Sequence, residues 1–488
     1  MPIEAHLTGN TPRPTDVVRR MNGGLAKEGK PPAQGHGIAA KGLRAARNLA
    51  RAVPAEPHWD LAFFGILSYM FVEYTRLNEV YPLFRQVPLA KLLIALAVVG
   101  LLVSPRPQGS GHSGPRGTDF ALFFFLLACL ASILFARDSA LGLDGFFLML
   151  RWAFVYFLIS RILTNTWRLR VFIFLLLLLN FKLAQFVIRT YFSELSFGRS
   201  EAYLSVHGVG AGVTDFFGNS GEFGVAMCVV WPLAGSLLFG EPKKSSRVFL
   251  WACFGVYLVS IFLCGSRGAI VGAAAAALVT WAKNPKRIAG VLTVLLLALG
   301  SFYILPTGYR QRMLSAFHWQ RDATAQMRMD LWSAGFNMWE KNPILGVGLN
   351  NFGVNYWADY SGRGLTTAVT APHSIYMEAL SETGVAGSVP LLFLWFLFLR
   401  ENARTRRHLK TLGLADRRSF EYRLSIGLDL AFVGYMVSGA FVTVLLFPHL
   451  WYLLGLSAAL HSACLRKQPE IAPVESANQE RNLAPAPY

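Results

Sequence analysis

The stretch Arg168-Leu169-Arg170-Val171-Phe172-Ile173-Phe174-Leu175-Leu176-Leu177-Leu178-Leu179-Asn180 decides the fold class. Two arginines mark an edge, and an apolar run follows that continues with few interruptions to Thr190. A helix that is apolar on every side finds its solvent in lipid, and a membrane-spanning helix needs about 20 mostly apolar residues. Working outward from this run, the same character recurs at 59–78, 88–104, 119–136, 144–161, 215–240, 247–265, 268–283, 288–306, 373–400, 424–445 and 447–465. With 168–190, these make about 12 expected transmembrane helices. The composition agrees: hydrophobic residues are 53% of the 488 and charged residues 15%, against about 25% charged in a soluble domain. Too much apolar surface is present for one soluble core, and disorder, a coiled coil and a disulfide scaffold are excluded with it. The expected fold is an all-α polytopic integral membrane protein.

Basic residues orient the spans, because Lys and Arg concentrate in short cytoplasmic loops. With the N-terminus inside, the inner loops are 105–118, 162–167, 241–246, 284–287 and 401–423, and Arg161, Arg168, Arg170, Arg247 and Lys283 fall on the same side. Both termini are then cytoplasmic. The formal charge of +18 reads as loop anchoring, so no nucleic-acid partner is expected. Residues 1–58 form a basic tail without an apolar signal-peptide core, expected to be cytoplasmic and disordered. Helices 1–9 occupy 59–306, one large periplasmic loop 307–372 lies between helices 9 and 10, helices 10–12 occupy 373–465, and 466–488 is a second disordered cytoplasmic tail. Outside also fall 191–214 and the turn at Ser266-Arg267. The five cysteines (Cys129, Cys228, Cys253, Cys264, Cys464) lie in or beside apolar runs and form no CxxC pair. No inverted repeat is visible, which disfavours a repeat-built transporter.

Three residues on the outer side invite chemistry. Arg267, in Gly265-Ser266-Arg267-Gly268, stands between two apolar helices, where an ionisable side chain is costly and usually has a partner or ligand. The alternative is an arginine that snorkels to the outer headgroups. Arg328 precedes an amphipathic stretch, Met329–Glu340, and reads equally as a solvated helix charge. His373 follows Ala371-Pro372 at an expected helix start, where the positive end of the helix favours a neutral imidazole and attracts anions. A structural histidine is the plainer reading. There is no Asp-x-Asp pair, no dense Asp/Glu/His cluster for a metal ion and no Walker loop. A phosphate bound outside must therefore be neutralised by arginine, whose fork matches phosphate oxygens. No metal and no cofactor are expected.

These motifs, taken in order, resemble the O-antigen ligase and polymerase superfamily of bacterial membrane glycosyltransferases. The pieces are Gly265-Ser266-Arg267-Gly268; Arg328-x-x-x-Trp332 with Asn342-Pro343-x-x-Gly346-x-Gly348-x-x-x-Phe352; and His373-Ser374-x-Tyr376 with Glu382-Thr383-Gly384-x-x-Gly387. The Phe217–Glu222 segment and Glu73-Tyr74-Thr75-Arg76 are similar to further family segments. The likeness is strongest over about 210–400, and serine follows His373 where asparagine is common in the family. The resemblance implies metal-independent, inverting glycosyl transfer at the periplasmic face of the bacterial inner membrane, from an undecaprenyl-diphosphate-linked oligosaccharide to an acceptor hydroxyl. By the same resemblance Arg267 and Arg328 hold the donor diphosphate and His373 sits at the reaction centre. Ser266, Glu222, Arg310 and Arg312 are weaker, second-rank site candidates. The acceptor stays open: lipid A-core for a ligase, a lipid-linked glycan for a polymerase, or a protein for an O-oligosaccharyltransferase. A lipid-linked glycan flippase or exporter is the alternative outside the enzymes. Trp319, Trp332, Trp339 and Trp357 of the outer loop read either as sugar platforms or as interfacial anchors.

Overall fold

The computed structural model describes residues 59–77, 81, 84, 86–103, 116–196, 217, 219–283, 323–360, 370–416 and 418–466. The tail 1–58, the expected span 288–306, Arg310, Arg312, Trp319 and residues 467–488 lie outside them. Within them the chain is helical, with no strand. The helices are α1 Leu61–Thr75, α2 Leu89–Val103, α3 Gly117–Ile133, α4 Ser139–Ile162, α5 Thr166–Ser196, α6 Ser220–Leu238, α7 Lys244–Leu263, α8 Arg267–Lys283, α9 Ala323–Lys341, α10 Phe352–Asp359, α11 Ile375–Thr411, α12 Phe420–Gly439 and α13 Pro448–Leu465. Five of them (α4, α5, α6, α7, α11) are long and apolar enough to cross a bilayer, and α1, α2, α3 and α8 are shorter apolar helices. Each expected span other than 288–306 coincides with one of these helices, with α12 or with α13.

Side chains placed in the sequence set the helix starts. Asp60 accepts from the Phe63 N–H at 2.8 Å, Asp138 from Leu141 at 3.0 Å and Asn219 from Glu222 at 3.0 Å, each satisfying an orphan donor of the first turn. Helix α6 is the centre of the bundle: it packs on α7, α8 and α12, and nearly every side chain from Phe223 to Leu238 is buried. Close approach is what the small residues there provide. A Cβ on Gly434 of α12 would stand 2.6 Å from the Cys228 carbonyl oxygen of α6.

The arginines expected on the inner side make ion pairs as well. Arg168 pairs with Asp60 at 2.6 Å, Arg161 with Asp119 at 3.1 Å, Arg170 with Glu241 at 2.8 Å and Arg406 with Asp429 at 2.7 Å. Arg161 and Arg406 each join two helices, Arg168 joins α5 to the cap of α1, and Arg170 joins α5 to the α6–α7 connection. Arg406 belongs to the expected inner loop 401–423, but α11 continues as helix through 400 to Thr411. The polar end stays helical because Asn402 and Thr405 are buried and matched: the Asn402 amide donates to Asp429 at 2.9 Å, and Ser457 donates to the Asn402 oxygen at 2.7 Å.

The expected outer loop carries structure of its own. Helix α9 buries Leu331, Ala334 and Met338 in a small cluster with Val347 and Phe352, and leaves Phe336 exposed. After α9 the chain enters a break in α11. Gly384 has φ +58° and ψ −158°, a conformation open to glycine, and the helix is interrupted there. The interruption frees backbone groups that segment 343–348 completes: Val347 N–H donates to Ser381 O at 2.9 Å and Gly348 N–H to Glu382 O at 3.1 Å, while Val385 N–H donates to Pro343 O and Ala386 N–H to Ile344 O, both at 2.9 Å. Irregular backbone at such a place is tolerated when protein satisfies it.

Candidate functional site

Three helix starts meet around one cavity. Cys264 ends α7, Gly265 turns the chain at φ +69°, and the Ser266 hydroxyl accepts from the Ala269 N–H at 3.3 Å, so Arg267 opens α8. Asn219 caps α6 in the same way. Pro372 and His373 lead into α11, whose cap is Ser374. The proline-histidine pair was expected to open the helix itself. Instead helix begins at Ile375, because Ser374 supplies the cap and His373 has φ +48°, outside helical space.

The cavity is partly open, measures about 200 Å³, and its wall includes Arg267, Arg328, His373, Ser266, Asn219 and Phe441. The three residues singled out in the sequence are thus brought to one site, from α8, α9 and the lead into α11, and each is half-buried. Ser266 is in the wall through its own cap. Glu222 lies one turn into α6, behind Asn219, whose amide donates to its carboxylate at 2.7 Å. Sequence reasoning missed Thr324, Met327, Phe441 and Val442, which complete the wall. Nothing in their residue types signals a site.

Two hydrogen bonds orient the histidine segment. The Trp332 indole N–H, one helical turn beyond Arg328, donates to the Pro372 carbonyl at 3.0 Å. The His373 N–H donates to the Thr443 hydroxyl oxygen at 2.9 Å. Burial first, and then the Arg328 guanidinium, hold the His373 imidazole below the ordinary histidine pKa, since both disfavour the charged ring. At neutral pH the ring is a neutral base in a wall that also holds Arg267 and Arg328. The glycine-rich turn behind α9 is fixed by Glu382, whose buried carboxylate accepts from Asn350 N–H at 2.7 Å and Phe352 N–H at 3.2 Å. Asn351 ties the turn to the α3–α4 connection, exchanging hydrogen bonds with Asp138 at 2.8 and 2.9 Å. Of the tryptophans, Trp357 donates to the Thr370 hydroxyl at 2.6 Å, and Trp332 is committed to Pro372.

What the wall can do chemically follows from its charge. Two guanidinium groups and the first turns of α6 and α8, with their outward N–H groups, suit an anion with several oxygens. Among the described residues, no group of three His, Cys, Asp or Glu side chains gathers as a metal site.

Residues 252–407 match the family model described as O-antigen ligase. The matched stretch runs from within α7 to near the end of α11 and contains Arg267, Arg328 and His373. It leaves out Asn219 on one side and Phe441–Thr443 on the other. No curated protein matches the chain. Over residues 252–407 the chain is thus similar to the O-antigen ligase family, a likeness that implies a glycosyltransferase-like membrane enzyme.

Proposed function

We propose that the protein transfers a glycan from an undecaprenyl-diphosphate donor to an acceptor hydroxyl, with inversion, without a metal ion, at the periplasmic face of the bacterial inner membrane. The observation that carries this reading is the meeting of Arg267, Arg328 and His373 in the wall of one cavity. The donor diphosphate lies against Arg267, Arg328 and the first turns of α6 and α8, with its polyprenyl tail in the bilayer. The acceptor oxygen attacks the anomeric carbon on the face opposite the diphosphate. The carbon–oxygen bond to the diphosphate breaks, and its electron pair leaves on the diphosphate oxygen. The two guanidinium groups stabilise that growing charge, an electrostatic effect that is often the largest in catalysis. The acceptor proton passes to the neutral His373 ring, a general-base contribution worth about 10²–10⁴-fold. An inner-membrane chain with both termini cytoplasmic puts this cavity outside, where a flipped lipid-linked donor is found.

The test uses the purified protein in detergent with EDTA and a labelled undecaprenyl-diphosphate oligosaccharide, alone and with lipid A-core, beside His373→Ala. A single shifted product that requires lipid A-core identifies a ligase, and a ladder from donor alone identifies a polymerase. Product only with a serine- or threonine-bearing protein identifies an O-oligosaccharyltransferase. Donor binding without any product overturns the enzymatic reading in favour of a flippase, and full activity of His373→Ala removes the histidine from the chemistry.

A further inference from the structure

One peptide group in the cavity wall is held at both ends. Its carbonyl is that of Pro372, which accepts from the Trp332 indole N–H at 3.0 Å. Its N–H is that of His373, which donates to Thr443 Oγ1 at 2.9 Å. The carbonyl and the N–H of a peptide unit point in opposite directions, so two side chains pin this plane from opposite sides. They come from unrelated parts of the fold: Trp332 from α9, Thr443 from the connection between α12 and α13. The residue that follows the pinned plane is His373 at φ +48°. A non-glycine residue in the left-handed region is uncommon and persists where its surroundings over-determine it. Histidine is one of the residue types enriched there. The pinned plane on one side and the α11 cap at Ser374 on the other hold His373 in it.

We propose that Trp332 and Thr443 are positioning residues of the transfer reaction, clamping the Pro372–His373 peptide so that the imidazole stays in the cavity wall beside Arg267 and Arg328. This rests on the reading of His373 as the reacting base. With the clamp open, φ at His373 returns towards the ordinary negative range, and the Cα–Cβ bond is re-aimed relative to the cavity. Trp332 also sits one turn beyond Arg328 on α9, so the clamp makes the diphosphate-binding helix and the base move as one unit. Its ring lies beside Phe441, with centroids 6.4 Å apart, which fixes the indole for its bond to Pro372. Thr443 lies outside the stretch that matches the family, and its place in the site is visible only from this contact.

The experiment measures kcat and donor KM for Thr443→Val, Thr443→Ser and Trp332→Phe, and repeats Thr443→Val in the His373→Ala background. Valine keeps the threonine shape without the acceptor oxygen, serine keeps the oxygen, and phenylalanine keeps a ring without the N–H. Thr443→Val and Trp332→Phe are expected to lower kcat about 10- to 100-fold, the scale of a small misplacement of a reacting group, with donor KM nearly unchanged. Thr443→Ser is expected to stay within about threefold of wild type, because its acceptor remains. Thr443→Val should add no further loss once His373 is alanine, since residues that act through one another are non-additive. Wild-type kcat in both Thr443→Val and Trp332→Phe overturns the inference, and so does an equal further loss in the His373→Ala background. Should Thr443→Val not fold, judged by gel filtration in detergent, Trp332→Phe carries the test. Full activity of His373→Ala alone would instead mean that the functional reading has failed, which separates the two.

Discussion

Replacing Gly384 by alanine tests whether the break in α11 is built as described. The glycine adopts φ +58°, ψ −158°, and an added Cβ would lie 2.3 Å from the Ile344 carbonyl oxygen, 2.5 Å from its carbon and 2.7 Å from the Leu345 nitrogen. All three are backbone atoms, so no side chain can swing aside. Holding a non-glycine residue in such a region costs about 1–3 kcal/mol. Relieving the overlap requires segment 343–348 to withdraw, and it is joined to the break by four backbone hydrogen bonds of 2.9–3.1 Å. Losing two of them, at a net 0.5–1.5 kcal/mol or so each, brings the total to roughly 4 kcal/mol. At roughly 1–2 °C per kcal/mol for a chain of this length, extending the trend for smaller domains, the unfolding midpoint in detergent should fall by about 4–8 °C. Scanning fluorimetry on wild type and Gly384→Ala reads this directly. A variant within about 1 °C of wild type, well below that expectation, would refute the account of the break. Gly413→Ala is the control: this glycine also has positive φ but meets nothing within 4 Å, so it should cost less.

Three further outcomes are expected. Arg267→Gln should lower kcat by about 10²–10³-fold, the usual scale for removing one donor to a developing negative charge, with Arg267→Lys intermediate; steady-state transfer assays check this. The acid limb of kcat/KM should lie below the ordinary histidine value near 6.5, because burial and Arg328 lower the His373 pKa. Neutral base is lost only as pH falls through that lowered value, so Arg328→Gln, measured over the same pH series, should move the limb upward. Glu382→Ala should destabilise the glycine turn by about 2–4 kcal/mol, since it removes the acceptor from two buried N–H groups; proteolysis within 342–352 should accelerate with it, and Glu382→Gln should do less harm.

The apolar helices were legible because a bilayer demands a simple pattern, about 20 apolar residues per helix. Boundaries failed where burial, not hydropathy, sustains a helix. The segment 401–411 reads as a basic loop, yet Asn402, Thr405 and Leu409 are buried, and tertiary partners keep it helical. The glycine turn after α9 and the break near Gly384 were each visible as punctuation. That one fills the other was not, because the pairing depends on contacts between residues some forty positions apart. Arg267 stood out because charge beside lipid is costly and His373 because it precedes an expected helix start, whereas Arg328 read equally as a solvated helix charge. Thr443 and Phe441 carry no such signal, being ordinary residues whose meaning comes from what they touch.

The break in α11 and the candidate site belong to one mechanical unit. From Trp332 in α9 to Asn342 just past its end is ten residues, and from the cap Ser374 to Gly384 in α11 is also ten. At 1.5 Å per residue each segment is about 15 Å long. At one end the two are joined by Trp332 to Pro372, and at the other by segment 343–348 set into the break. Between these joints Gly335 lies against Met377 and Ser381: a Cβ there would be 3.2 Å from the Met377 Cε and 3.7 Å from the Ser381 Cβ. Two rods of equal length, pinned at both ends and packed in the middle, cannot slide past each other without breaking a joint. Arg328 rides on one rod and His373 leads into the other. Their separation is therefore set partly by the Gly384 joint, about 15 Å from the candidate site. Among Gly384 variants that still fold, kcat should fall along with stability, and donor KM should rise only where Arg328 itself is displaced. A variant that loses the distant joint yet keeps wild-type kcat would show that the Trp332 joint suffices alone, and the coupling argued here would have to be abandoned.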